Sequence, residues 1–147
     1  MPNFLKHSKQ LERNIRIRDH NRHQMRHLID ISIKRIQQQG DGCFIDGYGT
    51  AYRDPDTNRK DSIAIVCSIP DKYLDKHYGL ISGEYQKPIV KHLIKKFMID
   101  VSRDCERFKF IDFLQHLQDA HDIALEESEF MSTFKTQCED IKKEFKL

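Results

Sequence analysis

The stretch Gly49–Asp71, GTAYRDPDTNRKDSIAIVCSIPD, decides the fold. It places a charged turn between a short aromatic stretch and the most apolar stretch of the chain. Ala51, Tyr52 and Arg53 suit a short strand. In the turn, Pro55 fixes its own φ, and Asp56 and Asn58 favour tight backbone through side-chain to backbone bonds. The segment SIAIVCSI, 62–69, is β-branched and nearly continuous, the pattern of a strand buried on both faces. Pro70 ends it. The stretch therefore predicts an antiparallel β-hairpin.

Outward from the hairpin the periodicity changes to that of helices. Asp19 and Asn21 are candidate caps before RHQMRHLIDISIKRIQQQG, in which Met25, Leu28, Ile29, Ser32 and Ile36 form one stripe. Gly40 suits a C-terminal cap. The glycine-rich segment GDGCFIDGYG, 40–49, lacks the spacing of a phosphate-binding loop and reads as a structural loop. Asp71 opens a helical turn and a loop follows through 85. Pro88 suits the first turn of the next helix, whose stripe is Ile89, Val90, Leu93, Ile94 and Phe97. A third helix carries Phe110, Phe113, Leu114, Leu117 and His121, and a fourth carries Phe130, Phe134, Cys138, Ile141 and Phe145. The predicted fold class is α+β: mainly helical, with four main helices around one small antiparallel β-hairpin. One domain spans 1–147, with a basic segment 1–20, a core 21–125 and a C-terminal amphipathic helix 126–145.

A chain of 147 residues can bury a core without metals or disulfides. Its four cysteines are far apart and form no CxxC pair, so they read as reduced thiols, mostly buried. No apolar run is long enough to cross a membrane, and MPNFLKHSKQLERN has no apolar signal core. A cytoplasmic protein is expected. The net charge of +2 conceals an asymmetry: residues 1–36 hold nine Lys/Arg against three Asp/Glu, and residues 104–147 hold six against eleven. Such a basic end suits a polyanionic partner, and equally suits packing of the two ends against each other.

The motif order resembles a family of small uncharacterised proteins common in bacterial and phage genomes. Gln39-Gly40, Cys43, Tyr52-Arg53, Ile69-Pro70-Asp71, Tyr73, Leu117-Gln118 and Ala120-His121-Asp122 stand where that family has its Cys, Tyr-Arg-x-Pro, Ile-Pro-Asp and Leu-Gln-x-x-His-Asp motifs. The similarity covers about residues 25–125. This chain departs from the family at the strand, which usually reads Lys-Cys-Ala-x-Gly; here Lys60-Asp61-Ser62-Ile63-Ala64-Ile65 stands instead. The resemblance implies an origin in a phage or other mobile element. No reaction follows from it.

Several side-chain sets could carry function. His121, Asp122 and Cys43 are the catalytic candidates, for a small hydrolase or nuclease using His121 as acid or base or Cys43 as nucleophile beside His121 or His77. Adjacent helix residues point about 100° apart, so Asp122 is expected to orient His121 poorly. Tyr52, Arg53, Asp54, Arg59 and Lys60 form a candidate protein-binding patch at the turn, since Tyr and Arg are enriched at interface hot spots. Arg53 is alternatively expected to pair internally with Asp71 or Asp122, leaving Arg59 and Lys60 as free surface charges. Arg16, Arg18, Arg22, Arg26 and Arg35 would contact phosphates if nucleic acid is the partner. His23 and His27 share a helix face, but neighbouring arginines oppose a cation and no third ligand is fixed, so no metal site is expected; no cofactor is expected either. The leading expectation is a non-enzymatic protein that regulates or inhibits a host or rival macromolecule by protein–protein binding, with nucleic-acid binding as the alternative.

Overall fold

The computed structural model describes residues 2–45, 49–50, 52–74 and 87–147. Within them the chain is mainly helical. Helix α1, Pro2–Gln39, is 38 residues long, roughly 57 Å at 1.5 Å per residue. Nothing in its sequence interrupts it, because Pro2 sits at the first position and no glycine occurs before Gly40. Gly40 stops it at φ 95°, with its N–H on the Ile36 carbonyl at 3.0 Å. Only glycine takes that left-handed position without strain.

Among the described residues four further helices follow: α2, Asp71–Leu74; α3, Lys87–Lys96; α4, Asp104–Leu125; and α5, Phe130–Glu144. The short link 126–129 makes α4 and α5 neighbours, and α1 packs against both. Between them lies a core that includes Leu28, Ile29 and Ile36 of α1, Leu93 of α3, Phe110, Phe113 and Leu117 of α4, and Phe134 and Cys138 of α5. The apolar stripes of α1 and α4 predicted from spacing are buried. In α5 the central Phe134, Cys138 and Ile141 are buried, whereas Phe130 and Phe145 at its ends are half-buried.

The hairpin, and with it the α+β class, is overturned. Residues 62–69 are not a strand: Ala64–Val66 form a single 3-10 turn. The Asp61 side chain starts it, its Oδ1 accepting the N–H groups of Ile63 at 3.0 Å and Ala64 at 2.8 Å. The burial expected for this segment is real, since Ser62, Ile63, Ala64 and Val66 are fully buried. A continuous apolar run demands burial without specifying conformation, and here a capping carboxylate selects the turn. The charged loop is closed by one antiparallel bridge, Arg53 to Lys60, with Asn58 at φ 61°. Phe44–Ile45 and Gly49–Thr50 pair over two residues each, too short to form a layer of the fold. The predicted strand residue Ala51, the loop residues 46–48 and the loop 75–86 with His77 lie outside the described residues.

Asn21 and Asp19 do not start a helix. Both lie inside α1, and Asn21 is buried there as a stitch: its amide donates to Asp100 O at 2.9 Å and Glu106 Oε2 at 3.1 Å, and it accepts the Asp100 N–H at 2.8 Å. A residue of good capping type caps only where backbone donors are orphaned, and the preceding residues continue the helix.

Candidate functional site

Two regions carry the chemistry of this chain: a polar cluster inside the helices, and the free half of α1. The cluster forms where the loop after α1 meets α4. The backbone N–H of Cys43 donates to His121 Nε2 at 2.9 Å. Nε2 is therefore an acceptor, so the ring carries its proton on Nδ1, which lies 2.9 Å from Asp122 Oδ1. Asp122 thus does orient His121, against the expectation from helical geometry; its short side chain reaches back across one residue. His121 is fully buried, and Gly42 packs on its ring. The constellation clamps the 40–43 loop onto α4. Burial pushes the Cys43 thiol up to about 12, and the charges of Asp61, Asp54 and Asp122 add to the effect. The thiol stays protonated and is a poor nucleophile.

Asp61 lies at the centre of this cluster. Burial pushes its carboxyl up to about 7, with the Asp122 charge adding to the rise and the two N–H groups it accepts opposing it. Among the described residues its Oδ2 has no hydrogen-bond partner. Tyr52 is also fully buried, and burial raises the pKa of its hydroxyl while the Gln118 side chain opposes the shift. Ser62 donates to the Leu117 carbonyl at 2.8 Å and Ser32 to the Ser62 carbonyl at 2.9 Å, tying the turn to α4 and α1. Among the described residues, no three His, Cys, Asp or Glu side chains converge as a metal would need.

The predicted protein-binding patch is divided by burial. Tyr52 is core and offers no surface. Arg53, its side chain 14% exposed, donates to Asn58 Oδ1 at 2.9 Å and meets Asp71 at 3.5 Å. Asp54 organises the turn, accepting from the Asp56 N–H and the Thr57 hydroxyl, each at 2.9 Å, and those bonds lower its pKa. Lys60 is not a free charge: it meets Asp71 at 3.3 Å, and its backbone N–H and carbonyl are both held by the Gln39 amide at 2.8 Å. Arg59 reaches Asp41 at 3.5 Å from an exposed position. Arg53→Ala is expected to cost about 1 kcal/mol, because Asp71 is 48% exposed and keeps Lys60 as a second cation. Arg59→Ala should stay within about 0.5 kcal/mol. Paired denaturant melts check both.

The five arginines do not form one patch. Arg35, itself exposed, is tied back to the fold, donating to the Ile65 carbonyl at 2.9 Å. Arg18, which also pairs with Asp19, and Arg22 line a recess of about 250 Å³ with Glu106, Asp112 and Glu144. Arg26 faces Glu139 and three lysines at the end of α5. Arg18 and Arg22 thus share one recess with acids of α4 and α5, beside Lys109 and Lys146, whereas the ion pair that joins α1 to α5, Lys142 to Asp30 at 2.9 Å, runs the other way, with its acid on α1. Arg16 is exposed on the free half of α1.

That free half was missed in the sequence, where 1–20 read only as a basic segment. From Phe4 to Arg16 no residue is buried. Phe4 is 70% exposed, Leu5 60%, Leu11 54% and Ile15 41%. Phe4, Leu11 and Ile15 share one side of the helix, and Lys6, Lys9, Arg13 and Arg16 lie on the opposite side, all four exposed. The signal was present as spacing, i, i+7 and i+11. No family model, curated protein or solved structure matches the chain.

Proposed function

We propose that this chain is a non-enzymatic binding protein that engages a partner macromolecule through the free half of α1. The observation that carries the reading is the apolar side of that half, Phe4, Leu11 and Ile15, left open to solvent on a helix whose lower half is core. Contiguous exposed apolar groups of this kind mark interaction surfaces, and an amphipathic helix laid in a groove is a recurrent mode of recognition. The polar cluster supports the non-enzymatic part, since both nitrogens of His121 are engaged within the fold and the Cys43 thiol is protonated. A regulatory or inhibitory role toward a host or rival macromolecule rests on the resemblance to small phage and bacterial proteins.

Leu11→Glu with Ile15→Glu tests this directly. Both sites are solvent-exposed and glutamate is a good helix former, so the melting midpoint should be unchanged. Proteins captured by the wild type from bacterial lysates should be lost by the variant. Capture of the same set by both, or of nothing by either across several hosts from a chain that also stays monomeric, would sink the reading.

The exposed cations favour a second reading, nucleic-acid binding through Lys6, Lys9, Arg13 and Arg16. Four phosphate contacts predict that log affinity falls with log salt at a slope of roughly −3 to −4. Charge reversal at Lys9 and Arg13 should roughly halve that slope. Unchanged mobility of labelled DNA and RNA at low salt would remove this reading.

A further inference from the structure

We infer that the partner on the apolar side of free α1 is a second copy of this chain, paired antiparallel over residues 4–15; this rests on reading that side as a docking surface. Phe4, Ser8, Leu11 and Ile15 are spaced four, three and four residues apart, and Arg18, Arg22, Met25, Ile29, Ser32 and Ile36 continue the same frame. Met25, Ile29, Ser32 and Ile36 are buried within the fold. One heptad seam therefore runs the length of α1, covered by its own chain over 25–36 and open over 4–15. A four-turn helical extension without tertiary contacts is marginal in water, and covering this seam supplies what it lacks.

The pattern of charge selects the occupant. The seam is narrow, the width of one partner helix. Its flanking positions hold Leu5, His7, Glu12 and Asn14, while Lys6, Lys9, Arg13 and Arg16 all lie on the outer side, roughly 110–170° from the seam at 100° per residue. Two basic arms can therefore pair without bringing like charges together. Antiparallel pairing sets Leu5 near Glu12 and His7 near Asn14 of the other arm. It also places the small Ser8 opposite Leu11, and Phe4 opposite Ile15, so that every layer holds a large apolar residue. A parallel pair would set Ser8 against Ser8. An anionic lipid surface fits less well, because the cations of such helices flank the apolar stripe to reach headgroups. A different protein chosen by charge would meet charged flanking positions, and these are nearly neutral. Two heptads make a small interface, so association is expected in the micromolar range.

Sedimentation of the full chain over a concentration series into the high micromolar range tests the inference. A monomer–dimer equilibrium is expected, with helicity rising as the dimer forms. Leu11→Glu with Ile15→Glu should weaken association by roughly a hundredfold or more, since charges replace apolar contacts in every layer. Direction is read in a Cys105→Ser background, because Cys105 is the exposed native thiol among the four. Ser8→Cys protein mixed with Leu11→Cys protein should give the mixed disulfide in preference to either homodisulfide. A chain that stays monomeric throughout, a dimer that survives the double Glu variant, or a preference for homodisulfides would each overturn the inference. A monomer whose captured partners still depend on Leu11 and Ile15 would overturn the second copy alone and leave the broader reading standing.

Discussion

Asp61→Asn is expected to stabilise the protein at pH 8 by about 1–4 kcal/mol and to change it little near pH 4. The carboxyl titrates near 7 in the folded chain and near 3.8 when unfolded, with burial as the main cause. The folded state therefore holds this proton more tightly. Its contribution to stability is complete below about pH 4 and is lost as pH rises through 7, where the unfolded chain is already ionised. Asparagine keeps the Oδ1 acceptor that serves the N–H groups of Ile63 and Ala64, and its amide presents a donor to a region that holds the Tyr52 hydroxyl. Other carboxylates act in the opposite sense: Asp54 and Asp100 have lowered pKa values from hydrogen bonds within their turns, and their stabilisation is lost on acidification. The wild-type profile is thus a sum, and the difference between wild type and Asp61→Asn isolates the buried group. Chemical melts at steps from pH 4 to 8 read it; a difference that stays flat across the range would show that Asp61 is ionised in the folded state throughout. Asp61→Ala should behave differently, leaving two buried donors unmet at every pH.

Gly42→Ala is expected to cost about 1–3 kcal/mol, an overpacking penalty. A methyl group there would stand 2.6 Å from Leu125 Cδ2, 2.7 Å from Phe130 Cε2 and 2.8 Å from His121 Nε2. The His121 ring cannot yield without giving up the Cys43 N–H or Asp122. Gly40→Ala offers the contrast: nothing lies within 4 Å of an added methyl, but φ is 95°, so its cost of about 1 kcal/mol comes from the backbone alone. The two cases separate in combination with Leu125→Ala. Opening that space should relieve Gly42→Ala, giving less than additive loss, and should leave Gly40→Ala additive. Additivity for both would mean that the Gly42 site relaxes elsewhere.

Helices were legible in the sequence because their stripes are long: Met25 to Ile36, Ile89 to Phe97 and Phe110 to His121 each repeat over roughly two and a half to three and a half turns. The turn at 54–61 was legible from Pro55, Asp56 and Asn58, and Asn58 does take a left-handed φ. The strand reading of 62–69 failed because a nearly continuous apolar run, six of the eight residues, fixes burial but carries no period, and the deciding atom, Asp61 Oδ1, belongs to a residue read as part of a charged loop. Asn21 misled in the same manner, a capping residue type used as a long-range bridge to Asp100 and Glu106. In the candidate site, His121 and Cys43 were each visible, but the bond that joins them runs from a backbone N–H, which no side-chain pattern records. The free half of α1 stayed hidden because eight of the nine residues between Phe4, Leu11 and Ile15 are charged or polar, and the composition of 1–20 outweighed its spacing.

The central claim, that contact is made through free α1 and not through the charged turn, is tested most directly by amide hydrogen exchange of the dilute free chain against the bound chain, whether it is bound to a second copy at high concentration or to a captured partner. Residues 4–16 make no buried contact, so their amides should exchange rapidly in the dilute free chain and slow by tenfold or more on binding, as the helix is covered. Residues 52–60 should be unchanged. Protection confined to 52–60, with 4–16 as fast as before, would contradict the account and return the contact surface to the turn.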